Sequence, residues 1–164
     1  MSRRIHITLA ALASLLAGLA QAGTVEVSFV QPERYTDAGH GVDAEATRKT
    51  LDRHLQALGQ AGLPVQQRLK IEILDIDLAG ETRPMLNLAS ELRVVKGRAD
   101  WPRIHLRYVL SDGEQTLSSG DESVSDMAYL MRSAVTDRNG ALPYERRMLS
   151  DWFRNRFGPA AAKN

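Results

Sequence analysis

Two aspartates, Asp75 and Asp77, stand two positions apart in an otherwise apolar run of the chain. On a β-strand, residues at this spacing project from the same face, with side chains about 6–7 Å apart. Carboxylates held that close can ligate a hard cation such as calcium, or act as a general acid and base. Glu81, just beyond Gly80, offers a further oxygen. The alternative is structural: the two carboxylates cap backbone amides, or face water where the strand leaves the core.

A second mixed group consists of Asp37, His40 and Asp43, spaced by three residues and followed by Glu45. Histidine and carboxylates in one loop can bind zinc or another divalent ion. The spacing matches no established zinc motif, however. Asp43 also stands where the N-cap of a helix is expected. Asp37 and His40 are therefore the candidate ligands of this loop.

Three cationic residues, Arg103, His105 and Arg107, alternate along the polar side of a predicted strand. Such a stripe can receive an anionic envelope component, such as a lipid headgroup, a glycan carboxylate or a peptide. The alternative interpretation is a solvated strand face. Near the C-terminus, Trp152 and Phe153 point about 100° apart on a predicted helix, so one can fill the core while the other reaches a groove edge.

Other catalytic groups have little support. The chain has no cysteine, which excludes thiolate catalysis, disulfides and zinc–cysteine sites. The segment SSGD at 118–121 is not the G-x-S-x-G turn of a nucleophile elbow. A triad assembled from distant residues stays open. No Walker-type or Rossmann-type glycine loop is present, and we predict no cofactor.

Hydrophobic periodicity predicts the elements that position these residues. Strands are expected at 24–30, 68–78, 91–96, 103–110 and 115–124. A first helix should run from Asp43 to a stop at Gly59 and 62–64, with further helices at 127–135 and 143–157. The second strand changes phase near Ile73, which indicates either a bulge or burial on opposite faces at its two ends. A connection at 79–90 is expected to be a long loop.

The order β-α-β-β-β-β-α-α predicts an α+β fold, with a mostly antiparallel sheet of about five strands and helices packed on one face. No internal repeat or interdomain linker is visible, so we expect a single domain over 23–158. The tail at 159–164 is expected to be disordered.

The N-terminus has the three parts of a secretory signal: Arg3 and Arg4, an apolar run from Ile5 to Ala20, and small residues before a cut after Ala22. The run is shorter than the ~20 residues that span a bilayer, so we predict a cleaved signal at 1–22 and no stable membrane anchor afterwards. Without cysteine, the protein is not expected to be a lipoprotein. Loss of the two arginines changes 21 basic against 20 acidic residues to 19 against 20, a near-neutral balance that argues against nucleic-acid binding.

Four blocks of the chain carry a further pattern. They are VSFVQPERYTD at 27–37, ILDIDLAGE at 73–81, PRIHLRYVL at 102–110 and YERRMLSDWF at 144–153. In this order they resemble the signatures of an exported proteobacterial family known as domain of unknown function 3016. The resemblance implies a periplasmic setting and supports the domain boundaries, but it implies no reaction and no catalytic residue.

These observations favour a non-enzymatic periplasmic binding or envelope-assembly module over an enzyme. Its expected partner is an envelope protein, a glycan or a small ligand. One alternative is a metal- or carboxylate-dependent hydrolase that uses Asp75 and Asp77. Another is a divalent-cation binding protein.

Overall fold

The computed structural model describes residues 23–84, 91–97, 99–131 and 140–158. The predicted signal at 1–22 and the tail at 159–164 lie outside the described residues. The elements, in chain order, are β1 (Thr24–Phe29), a 3-10 helix (Pro32–Arg34), α1 (Val42–Gly62), β2 (Gln67–Asp77), β3 (Glu81–Pro84), β4 (Glu91–Val94), β5 (Arg103–Asp112), β6 (Gln115–Ser125) and α2 (Pro143–Phe157).

The α+β class is confirmed, but the main sheet is mixed. Its four strands lie in the order β1-β2-β5-β6, and β3 pairs with β4 in a separate two-stranded sheet. β1 and β2 are parallel because α1 connects them as a crossover, whereas β2–β5 and β5–β6 are antiparallel. Part of the predicted 79–90 loop is therefore a strand, while 85–90 lie outside the described residues.

The core lies between one face of this sheet and the two helices. Alternate residues of β2 and β5 are almost completely buried, and apolar residues of both helices cover them, as the alternation predicted. The members include Leu69, Ile71, Ile73, Ile104, Leu106, Leu51, Leu55, Leu149 and Phe153.

A bulge explains the phase change in β2. The register with β5 shifts between Ile73 and Asp75, so Leu74 is the extra residue. Ile76 and Leu78 thereby return to the core and are 0% and 3% exposed. Of the two alternatives, the bulge is confirmed. It also places Asp75 and Asp77 on the same face, opposite His105 and Arg103 of β5.

The first helix differs from expectation at its start, whereas it ends at the second of the two predicted stop signals. Gly41, not Asp43, is its N-cap, and no side chain caps it. Asp43 lies in the first turn, where a negative charge still favours the positive end of the helix dipole. Gly59 does not stop the helix, which continues to Gly62. A Cβ at Gly59 would overlap the side chain of Val25, so this glycine permits close packing on β1.

The two later helices have different outcomes. The last one, Pro143–Phe157, has the predicted bounds. Of the helix predicted at 127–135, residues 127–131 form turns, and 132–135 lie outside the described residues. In the part of the chain that the structure describes, no helix is long and apolar enough to cross a membrane.

Candidate binding cleft

A cleft of about 830 Å³ opens at the carboxyl ends of β1 and β2. Its walls are the loop between β1 and α1, the first turns of α1, the end of β2, and β3 with the segment before β5. In a β-α-β unit the loop after the first strand and the start of the helix meet at this edge, which is where open α/β sheets bind ligands. We call it the β1–β2 cleft.

The segment that follows β1 separates from β2 at this edge and then pairs with it again. After the Val30 amide donates to the Ile73 carbonyl at 2.9 Å, the chain turns through the 3-10 helix. It returns at Asp37, whose amide donates to the Ile76 carbonyl at 2.8 Å. An isolated parallel bridge then pairs Asp37 with Asp77. Two groups that are 40 residues apart in sequence are thereby brought to the same cleft.

Tyr35 holds the segment between Val30 and Asp37 against β2. Its hydroxyl donates to the Ile73 carbonyl at 2.8 Å, and burial raises the pKa of the Tyr35 phenol to about 12. The hydroxyl therefore stays protonated, as the donor role requires.

Asp37 is bound by an arginine from the small sheet. Arg93 Nη1 and Nη2 donate to its two oxygens at 2.9 and 3.0 Å, and the Gly39 amide donates at 3.1 Å. Burial by itself raises the pKa of Asp37, but the hydrogen bonds from Arg93 and Gly39 outweigh it and hold the pKa below the usual value. Asp37 is therefore an ionised anchor for β4.

Asp75 caps a backbone amide, which is the structural alternative to a ligand-binding role for this residue. Its two carboxylate oxygens accept the Thr36 amide and the Thr36 hydroxyl, each at 2.7 Å. These bonds hold the returning loop against β2. Unlike Asp77, Asp75 is not among the residues that line the β1–β2 cleft.

Asp77 lines the cleft and forms a long ion pair. Its side chain is 28% exposed, and Arg103 Nη2 lies 3.8 Å from its Oδ2. Burial raises the pKa of Asp77; Arg103 opposes this effect, and the negative charges of Asp37 and Asp75 add to it. A group with a raised pKa in a cleft is a candidate for binding or proton transfer.

The rim of the cleft carries charges of both signs. Glu81 lies there and accepts Lys96 Nζ at 2.6 Å, a hydrogen bond that lowers its pKa. His40, from the loop, and Arg48, from α1, also line the cleft. His40 sits between two glycines with φ of 83° and 52°, a backbone shape that favours glycine. Within the described residues, no three histidine or carboxylate side chains are placed to hold a metal ion.

The cationic stripe on β5 is paired with acids from the neighbouring strands. His105 Nε2 lies 2.6 Å from Asp121, and Arg107 lies 3.3 Å from Asp121 and 3.1 Å from Glu72. Arg103 faces Asp77, as described above. The cationic residues therefore form ion pairs with acids across the face of the sheet that the helices leave uncovered. This arrangement is the one expected for a solvated strand face.

Several residues of this region were not predicted from the sequence, among them Arg48, Arg93 and Glu145. Glu145, in the first turn of α2, is 2% exposed and accepts the Ala79 amide at 2.8 Å behind the cleft. Burial raises its pKa. The available signal was its spacing, because Glu145 lies three and four residues before Met148 and Leu149 on the buried face of the helix. Arg93 carried no comparable signal.

Comparisons with known proteins place the chain in a family. Residues 23–155 match the model of the family described as "Protein of unknown function (DUF3016)". Neither the curated proteins nor the solved structures contain a match. Because the match covers most of the chain, the protein belongs to this family.

Proposed function

We propose that this member of the DUF3016 family is an exported, non-enzymatic binding module of the cell envelope, and that the β1–β2 cleft is its ligand site. The observation that carries the proposal is the state of the carboxylates around the cleft. Asp37 and Asp75 use both oxygens in bonds that shape the loop, whereas Asp77 faces the cleft with only a long ion pair. A carboxylate that faces a cleft and is not used to shape the loop supports a ligand-binding role for this site.

The chemistry of the walls favours a small polar ligand. A volume of about 830 Å³ is within the range of sites for small molecules. Asp77 suits an amine or hydroxyl donor, while His40 and Arg48, which also line the cleft, suit a carboxylate or another acceptor. A short glycan or peptide fragment of the envelope carries groups of both kinds.

Thermal melting of the purified protein, expressed from its full chain, tests the cleft. The probes are amino sugars, short oligosaccharides, dipeptides and polyamines. A ligand that binds only the native state raises the melting midpoint, and the rise grows with the logarithm of the ligand concentration once that concentration exceeds Kd. We expect one probe class to raise the midpoint of the wild type, and Asp77→Asn and Arg48→Ala to abolish the shift.

Glu114→Gln is the matched control, because it also removes one carboxylate. Glu114 lies in the turn after β5, and the end of β5 pairs with the start of β2, whereas the cleft lies at the end of β2. It should respond as the wild type does. A probe that shifts wild type and Asp77→Asn equally would contradict the assignment of the cleft. Mass spectrometry of molecules that copurify with the wild type but not with Asp77→Asn would identify the natural ligand.

Export is part of the proposal and rests on the composition of residues 1–22. We expect the protein in the periplasmic fraction, with Gly23 as its first residue. Recovery from the cytoplasm with Met1 in place would contradict it.

One observation favours the hydrolase alternative in a modified form. The Asp37 pKa is lowered and the Asp77 pKa is raised, and neighbouring carboxyls with divergent pKa values are the usual arrangement of an acid and a base. A hydrolase would then use Asp77 as the acid, with Asp75 in a positioning role. Turnover of a glycan or peptide probe that is lost in Asp77→Asn and kept in Glu114→Gln would establish this alternative over binding alone.

The divalent-cation alternative stays a prediction. Melting with added calcium or zinc and with EDTA tests it, since a bound cation raises the midpoint and EDTA reverses the effect.

A further inference from the structure

Among the described strands, none pairs with the outer edge of β6, which is a row of backbone groups. β6 is the last strand of the order β1-β2-β5-β6. The Asp126 amide donates to the Pro102 carbonyl directly opposite, at 3.3 Å, just beyond the end of the strand. Hydrogen-bonded and non-hydrogen-bonded pairs alternate in an antiparallel ladder, so the pairs at 103/125, 105/123 and 107/121 are of the non-bonded kind. The amides and carbonyls of Ser125, Ser123 and Asp121 therefore point away from β5.

This edge is open. Asp121, Ser123 and Ser125 are exposed, and within the described ranges no backbone hydrogen bond other than those to β5 involves them. Sheet edges are commonly protected by charged side chains, especially lysine, by proline or by a bulge. The sequence of β6, QTLSSGDESVS, has neither lysine nor proline, and its two acids, Asp121 and Glu122, form ion pairs with β5 and α2. The register shift of β6 is at Leu117, and the pairing with β5 is regular from Ser118 to Ser125.

A groove runs along this edge, between β6 and α2. It has a volume of about 550 Å³ and is lined by the four β6 residues 122–125. Val124, Met148 and Trp152 supply its apolar surface, while Asn155 and Arg156 stand on the α2 side. Four strand residues span about 13 Å, the length of four residues of an added strand. Trp152 is 8% exposed and its Nε1 donates to Glu122 at 3.0 Å, so this wall is rigidly held.

We infer that the β6–α2 groove binds an extended peptide segment of a partner protein by strand addition. The outward amides and carbonyls of β6 form the ladder with the peptide backbone, and alternate peptide side chains point toward α2. An apolar side chain there contacts Met148 and Trp152. Recognition is dominated by the backbone, so the peptide must be free of proline where it pairs with β6.

A single peptide strand suits the groove better than a second copy of the chain. In an antiparallel pair of β6 strands, both α2 helices lie on the same side of the joined sheet. Each groove would then have to accept a neighbouring β6 together with its helix. A lone strand needs only the groove. This site does not involve the residues assigned to the β1–β2 cleft, so the two sites are tested separately.

The test uses the protein expressed from its full chain and 12-residue peptides selected on it from a random display library. Ser123→Pro removes one outward amide without breaking a bond to β5, and proline is tolerated at such edge positions. Ser123→Ala is the control, because it keeps the amide. Asn155→Trp fills the groove from α2 and leaves the strand unchanged. We expect selected peptides to bind Ser123→Pro and Asn155→Trp at least about tenfold more weakly than the wild type, and Ser123→Ala about equally.

Amide hydrogen exchange locates the peptide independently of these variants. Binding should slow the exchange of the Asp121, Ser123 and Ser125 amides, which point outward, more than that of the intervening amides. The inference is overturned if selection yields no binder, if binders hold Ser123→Pro as tightly as the wild type, or if protection appears elsewhere. It is also overturned if the wild type is a dimer in solution that Ser123→Pro converts to a monomer, because the edge then pairs with a second copy.

Discussion

The bidentate pair between Asp37 and Arg93 connects the cleft loop to the small sheet, and its strength can be measured with a double-mutant cycle. The substitutions are Asp37→Asn, Arg93→Met and the combination of both. Each side chain is about three-quarters buried, with 25% and 26% of its surface exposed, and two hydrogen bonds of 2.9 and 3.0 Å join them. Asparagine can still accept the Gly39 amide through Oδ1, so the substitution removes the negative charge and the bond from Arg93 Nη1 to Oδ2 but leaves the loop contact in place.

Hydrogen bonds to charged groups contribute ~1.5–3 kcal/mol each, and exposed ion pairs ~0–1 kcal/mol. For a pair of intermediate exposure we expect each single substitution to lower the free energy of unfolding by about 2 kcal/mol. The coupling free energy should be about 1.5 kcal/mol. After Asp37→Asn, the guanidinium loses the negative charge and the bond to Oδ2, and keeps the amide oxygen with the Ala79 and Gly80 carbonyls, both at 3.4 Å.

Urea unfolding followed by the fluorescence of Trp101 and Trp152 measures these free energies. The exposed pair of Glu26 and Arg68, with an N–O distance of 3.8 Å and both side chains more than half exposed, is the internal control. Its coupling should stay below about 0.5 kcal/mol. A coupling for Asp37 and Arg93 no larger than that of the control pair would refute the reasoning.

The pH dependence has a defined sign. The pKa of Asp37 is lowered in the folded protein, so its contribution to stability is present above its unfolded value of about 3.9 and is lost as the pH falls through the lower folded value. The coupling should be full at neutral pH and decline in strong acid. A coupling that is the same at both ends of this range would show that charge is not its source.

Three further changes have expected outcomes. Gly59→Ala, which stabilises an ordinary helix by about 1 kcal/mol, should lower the melting midpoint here because the new methyl overlaps Val25; a higher midpoint would contradict the packing. Thr36→Val removes the hydrogen bond from the hydroxyl to Asp75 and should lower the free energy of unfolding, measured in urea, by about 1 kcal/mol. The loss should be smaller in an Asp75→Asn background than in the wild type. Burial lowers the pKa of His54, so wild-type stability should fall as the pH drops below about 6.5 toward the lower folded value, and His54→Gln should flatten this part of the pH–stability curve.

Local patterns were sufficient for most elements. Alternating apolar residues predicted β2 and β5. The phase change near Ile73 left a bulge as one of two explanations, because a one-residue insertion reverses the inward face wherever it occurs. Proline at the start of α2 and the apolar stripe behind it gave correct bounds. Each of these signals depends on neighbours within a few positions, which the sequence shows directly.

Strand partners and the contents of the cleft depended on contacts between distant residues. Local alternation does not say whether β1 joins β2 parallel, or that β4 pairs outside the main sheet. Gly59 lies inside α1 because Val25 packs against it, and this tertiary contact overrides the tendency of glycine to end a helix.

The paired aspartates show the division most clearly. Their spacing of two was enough to place Asp75 and Asp77 on one face of a strand. Only the folded chain brings Thr36 to Asp75 and Asp37 beside Asp77, and only it buries Arg93 against Asp37, 56 residues away. Spacing determines the direction of a side chain, whereas burial and the charges around it come from segments far away in sequence. The chemical state of each carboxylate was therefore decided by the tertiary structure.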